Sequence, residues 1–207
     1  MATPHTIVVL PGSLRKESFS LKIAKAFAKL APDTLKLNVV TLNDISFFNQ
    51  DLEANPPADW LAFRETIQKS DGVLFVTPEY NRSMPGVLKN AIDWASRFQP
   101  QPFNERHGLL MSASPSMAGG NRGLWALRVP LEHLGARVYP DMFSLAQAHR
   151  AFTAEGRLAD EQLQQRFDTN VINFLDLVEA STHYPCVKRA WVEYLGEHPE
   201  PVLDRVE

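Results

Sequence analysis

GVLFVTPEYNRSMPGVLKNAIDWA, residues 72–95, contains a strand, a connection and a helix in sequence. Its first six residues, GVLFVT, run apolar almost without a break up to Thr77. A strand apolar on both faces belongs inside a sheet covered on both sides. Its last nine residues place Val87, Leu88, Ala91, Ile92 and Ala95 at helical spacing, which predicts an amphipathic helix with one buried face. Between them lies PEYNRSMPG, 78–86, with two prolines, a carboxylate, a tyrosine and an asparagine. That is a long, stiff and polar way to join a strand to a helix.

The same alternation runs outward in both directions. Residues 6–10 (TIVVL), 36–42 (KLNVVTL), 107–113 (HGLLMSA) and 136–140 (ARVYP) read as further strands. Residues 18–31, 58–69, 119–135 and 159–180 read as helices. Their inward faces are Leu21, Ala24, Phe27 and Ala28 in the first, and Trp60, Leu61, Phe63 and Ile67 in the second. In the last they are Leu163, Phe167, Val171, Phe174 and Leu175. Pro130 is expected to kink or restart the helix over 119–135. Strands that alternate with helices predict an α/β fold with a doubly wound parallel sheet. Five such strands suggest the flavodoxin-like order 2-1-3-4-5. The domain is expected to span 1–181, with 182–207 as a C-terminal extension.

Composition narrows the function. The chain has 207 residues, 44% hydrophobic and 22% charged, with a formal net charge of −3. A general nucleic-acid binder needs clustered Lys and Arg to neutralise phosphates, and no basic stripe stands out. No segment has the apolar length of a membrane span. The opening MATPHTIVVLPGS has no basic n-region and only a short apolar run, so a cytoplasmic location is expected. One cysteine, Cys186, excludes dithiol chemistry within a chain and reads as structural. The six histidines are scattered without metal-ligand spacing, so no metal site is expected. There is no G-x-S-x-G elbow, G-x-G-x-x-G fingerprint or G-K-[ST] loop. Glu79 has the chemistry of a general base, but nothing in the sequence pairs it with a nucleophile.

In a sheet of order 2-1-3-4-5, ligands bind beyond the carboxyl ends of strands one and three, where the strand order reverses. The loop after strand one is PGSLRKESFS, 11–20. Gly12 permits a tight turn, and Ser13, Arg15, Ser18 and Ser20 then crowd the entry to the first helix. Free N–H groups and the positive end of a helix attract anions, and these side chains make a donor set for a terminal phosphate. An ordinary capped helix start is the simpler reading, although a cap needs only one Ser. The loop after strand three is PEYNRSMPG. Its prolines stiffen it, Tyr80 offers a flat wall, and Asn81 adds a side-chain donor and acceptor. Pro85 suits the first turn of the helix that follows, with Ser83 as its candidate cap. A well-packed structural loop would account for the same residues. A third loop, SASPSMAGG, 112–120, allows close approach at Gly119 and Gly120.

GSLRKESFS and TPEYNRSMPGVLKNAIDWASR resemble the NADPH-dependent FMN reductase family, flavodoxin-like proteins that include chromate, quinone and azo-dye reductases. The resemblance covers roughly residues 6–180. It implies an FMN phosphate held by Ser13, Arg15, Ser18 and Ser20. It implies an isoalloxazine lined by Pro78, Glu79, Tyr80 and Asn81, largely through backbone groups, with Ser114 and Gly119 near it from the third loop. The activity it implies is FMN-dependent NAD(P)H oxidoreduction. Hydride would pass through FMN to quinones, azo compounds, metal oxyanions or free flavin. The resemblance also implies a homodimer or homotetramer. Two rivals stay open: a non-enzymatic flavodoxin-like electron carrier and a flavin-free binding protein. In the extension, Trp191, Tyr194 and Leu195 are expected to pack on the domain or on a neighbouring subunit.

Overall fold

The computed structural model describes residues 5–32 and 35–183. The expectations for Cys186 and for Trp191, Tyr194 and Leu195 lie outside the described residues. Strands β1 (His5–Pro11), β2 (Leu35–Val39), β3 (Gly72–Thr77) and β4 (His107–Ala113) are joined by helices α1 (Phe19–Leu30), α2 (Ala58–Gln68) and α3 (Gly86–Ser96). Helix α4 (Asn121–His133), the short strands β5 (Arg137–Val138) and β6 (Phe143–Leu145), and helix α5 (Glu161–His183) follow. The sheet is parallel with the order β2-β1-β3-β4-β5, so strand order reverses between β1 and β3.

Burial sorts the strands as the sheet requires. Every residue of β3 and β4 is buried, whereas β2 at the edge is half exposed. Successive side chains alternate between the two faces. Val8, Leu10, Val73, Phe75 and Leu110 meet Trp60, Ile67, Leu88, Trp94, Leu124 and Leu131 from α2, α3 and α4. Ile7, Val9, Leu74, Val76 and Met111 meet Ile23 and Phe27 of α1, and Phe167, Val171, Phe174 and Val178 of α5. Two apolar layers therefore hold one sheet, each deep enough to exclude water.

Three elements differ from the sequence expectation. The fifth strand, expected as one piece over 136–140, is split. Arg137 and Val138 pair with His107 and Gly108, and Phe143 to Leu145 pair with Met111 to Ala113 of the same neighbour. Pro140 lies in the gap, where it has no N–H to continue a ladder. Strand β2 ends at Val39 rather than 42, though the Val40 N–H still reaches the Val9 carbonyl at 2.9 Å. Helix α4 runs through Pro130 without a restart. The proline stands three residues from the helix end, and its carbonyl still accepts the Leu134 N–H at 3.1 Å.

The long connection from β2 to α2 is strapped down by α3. Buried Asn90 accepts the Phe48 N–H at 2.7 Å and donates to the Ser46 carbonyl at 3.0 Å. The Trp60 ring stacks on Trp94 with centroids 5.2 Å apart, and Phe48 meets Trp94 edge-on. The Trp60 indole N–H donates to the Ser46 hydroxyl at 3.0 Å.

Candidate flavin site at the strand switch point

The β1–β3 register sets Pro11 beside Val76, so the loops after these strands leave the sheet side by side. The Gly12 N–H donates to the Val76 carbonyl at 2.8 Å. A Cβ on Gly12 would stand 3.0 Å from the Thr77 hydroxyl and 3.2 Å from Leu88, so only glycine fits without displacement. The two loops and the end of β4 enclose a cleft of about 290 Å³.

The first wall is the start of α1. Ser18 is its N-cap, with its hydroxyl oxygen accepting the Leu21 N–H at 3.1 Å. The simpler reading thus holds for Ser18, yet its O–H proton is still free to donate. The amides of Phe19 and Ser20 have no partner one turn earlier, as at any helix start. Ser13, Arg15 and Ser20 reach the same cleft. Ser18 and Ser20 are almost fully buried from solvent. Arg15 is exposed and makes no ion pair among the described residues. This donor set, two buried hydroxyls over a helix N-terminus beside a free guanidinium, suits a phosphate monoester.

The second wall is Pro78, Glu79 and Tyr80. The Thr77 hydroxyl donates to the Pro78 carbonyl at 2.8 Å. Tyr80 and Ser83 exchange two backbone hydrogen bonds, at 2.9 and 3.0 Å. Between them Asn81 and Arg82 both have positive φ, 50° and 67°. Two central residues of positive φ make a type I′ turn, a position that asparagine tolerates well. Asn81 is thus explained as a turn former and stands outside the cleft wall. Ser83 is not the cap of α3. Its backbone closes the turn, and Pro85 takes the cap position without a side-chain bond. The Glu79 carboxylate leaves the cleft and meets the start of α4, where it accepts the Arg122 N–H at 3.0 Å and the Gly123 N–H at 3.4 Å.

The third wall is Ala113, Ser114 and Pro115. The Ser114 N–H bonds the Leu145 carbonyl at 3.1 Å, and its hydroxyl donates to Ser116 at 3.0 Å. Gly119 does not line the cleft. It has φ of 64°, and a Cβ there would come within 3.0 Å of the Ala146 amide nitrogen, so it serves close packing against the end of β6. Eight expected residues, Ser13, Arg15, Ser18, Ser20, Pro78, Glu79, Tyr80 and Ser114, share one cleft, and Asn81 and Gly119 do not join it. Phe19, Ala113 and Pro115 line it as well. Their only sequence signal is position, directly beside residues already singled out.

A parallel sheet of this order with its cleft at the reversal defines a flavodoxin-like α/β protein. Comparison with known proteins narrows the class. The family model described as NADPH-dependent FMN reductase matches residues 5–150, and the chain belongs to that family. A quinone reductase of Pseudomonas putida is 41% identical over 165 residues, covering 78% of this chain and 88% of its own. An NAD(P)H-dependent FMN reductase of Pseudomonas aeruginosa is 37% identical over 169 residues, covering 80% and 90%. The solved structure of FerB, a flavoenzyme NAD(P)H:(acceptor) oxidoreductase from Paracoccus denitrificans, superposes with a TM-score of 0.77 at 35% identity, covering 85% of this chain and 98% of FerB.

Proposed function

We propose that this chain is an FMN-dependent NAD(P)H oxidoreductase that delivers two electrons to a small-molecule acceptor, with quinones as the leading class. The observation that carries the reading is the phosphate-suited start of α1 facing the Pro78–Tyr80 wall, in a chain of this family. When bound, FMN supplies the hydride chemistry itself. The protein binds and orients it. Ser13, Arg15, Ser18 and Ser20, with the first amides of α1, would hold the phosphate. Pro78, Glu79, Tyr80 and Ser114 would line the ring system. Half-exposed Tyr80 leaves the cleft open at one side, where a nicotinamide and then an acceptor have room to enter in turn. No side chain of the cleft has to move a proton for this chemistry.

Adding FMN to the purified protein and following NADH and NADPH oxidation, with and without a quinone, tests the reading. Saturable FMN binding and quinone-dependent oxidation are expected. FMN binding without turnover would favour an electron carrier. No binding would favour a flavin-free role.

The protein also self-associates as a homodimer or homotetramer. Support comes from the outer face of α4, where Trp125 and Val129, one turn apart, are 57% and 70% exposed. Large apolar side chains so placed are costly to leave in water. Replacing both with glutamate is expected to shift sedimentation toward the monomer, and an unchanged profile would move the interface elsewhere. The flavin-binding domain ends near residue 181, within the last turn of α5. Among the described residues no helix is long and apolar enough to cross a membrane.

A further inference from the structure

We infer that Glu79 is a positioning residue: its carboxylate latches the cleft-wall peptide 78–80 to the first turn of α4 and so fixes where that peptide's backbone meets the flavin. The inference rests on the flavin reading of the cleft.

Glu79 contributes to the cleft wall, yet its carboxylate turns away from the cleft. The side chain is only 14% exposed. One oxygen accepts the N–H groups of both Arg122 and Gly123, and the other lies 3.9 Å from the Arg122 guanidinium. These amides belong to a helix that cannot cap itself. Its N-cap is Gly120, with φ of 90° and no side chain. A carboxylate near the positive end of a helix satisfies orphan donors and meets a favourable dipole. Helix caps normally come from the adjacent residue. This one comes from 43 residues away, across the cleft wall.

The packing around the latch is close. A Cβ on Gly123 would stand 3.3 Å from the Ser83 carbonyl oxygen and 3.4 Å from the Glu79 Cα, so α4 lies directly against the wall. The same short peptide is held at its other ends by the Thr77 hydroxyl on the Pro78 carbonyl and by the Tyr80–Ser83 pair. With Thr77 and Ser83 fixing the flanks, Glu79 is the point that sets the middle. A residue that served only α4 would not need to sit in the cleft wall. This side chain couples α4, whose outer face carries Trp125, to the backbone facing the ligand.

Three variants test the inference by FMN affinity, by the midpoint potential of bound FMN, and by amide hydrogen exchange of the FMN-free protein. Glu79→Ala is expected to weaken FMN binding about tenfold, from the loss of two hydrogen bonds. It is expected to move the potential toward that of free FMN and to speed exchange at both 78–83 and 121–123. Glu79→Gln keeps an acceptor oxygen and is expected to stay within about threefold of wild-type affinity. Glu79→Asp withdraws the carboxylate from the amides and should follow the alanine variant, which decides the matter if the alanine protein does not fold. Faster exchange confined to 121–123, with FMN affinity and potential unchanged, would reduce Glu79 to an ordinary cap and overturn the inference. So would a glutamine variant as impaired as the alanine one. If the wild-type protein binds no FMN, the flavin reading falls on its own. Exchange at 78–83 then decides whether the latch exists.

Discussion

Arg15 has a guanidinium that no acidic side chain neutralises among the described residues, at the mouth of a cleft floored by two buried hydroxyls. If it meets a phosphate, the bond is charge-assisted and partly shielded from water. Arg15→Ala is then expected to weaken FMN binding by about 1.5–3 kcal/mol with little change in folding stability, as read by flavin fluorescence quenching and a urea titration. Lysine at the same position should recover only part of the loss, because it lacks the planar fork. At this scale the sequence is informative but ambiguous. Ser18 reads both as a cap and as a ligand donor, and its hydroxyl can serve both roles. Asn81 and Gly119 share a different ambiguity. Residues suited to positive φ look the same in a sequence whether they face a ligand or turn a chain, and neither belongs to the lining of this cleft.

Among the elements, α3 does more than form a wall of the core. Its Asn90 holds the connection after β2 through two backbone hydrogen bonds while the Trp60–Trp94 stack closes over the same connection. Asn90→Ala leaves the Phe48 N–H and the Ser46 carbonyl without partners in a partly buried place. A loss of about 1–3 kcal/mol is expected, seen as a lower urea midpoint and as faster proteolysis within 43–57. An unaltered cleavage pattern would show that the aromatic stack holds the connection by itself. The helical spacing of Leu88, Ala91 and Ile92 is plain in the sequence, so α3 itself is legible. Asn90 is not, because its partners lie over forty residues away. The split of the fifth strand is also illegible. ARVYP has strand-like composition, and only the return of FSL to β4 shows that the register continues past Pro140.

For the whole molecule, strand order, the two apolar layers and the position of the cleft follow from the alternation of apolar segments, so the architecture is the most legible level. What periodicity cannot show is a titratable group buried without a partner. His107 opens β4, 6% exposed, and neither ring nitrogen has a hydrogen-bond partner among the described residues. Burial holds its pKa below the usual 6.5, and the Arg137 guanidinium lowers it further. The folded state therefore keeps this imidazole neutral where the unfolded chain takes up a proton. Stability from this residue is fully present above pH 6.5 and is lost as pH falls through the lowered folded-state value. Urea midpoints measured from pH 8 to pH 5 should drop on the acid side. The drop should be shallower in His107→Leu than in the wild-type protein, and identical slopes would remove His107 as its source.

Arg137–Val138 and Phe143–Leu145 leave that side of the sheet without a continuous outer margin. A free margin is a template on which a foreign strand can zip. Here it comes in lengths of two and three residues, separated by a proline-containing gap. At the opposite side β2 is five residues long and carries Lys36 and Asn38 among its exposed positions. Neither margin offers the apolar six- or seven-residue run that fibrils stack on. Among the described residues, the native sheet thus offers a poor template for edge-to-edge polymerisation.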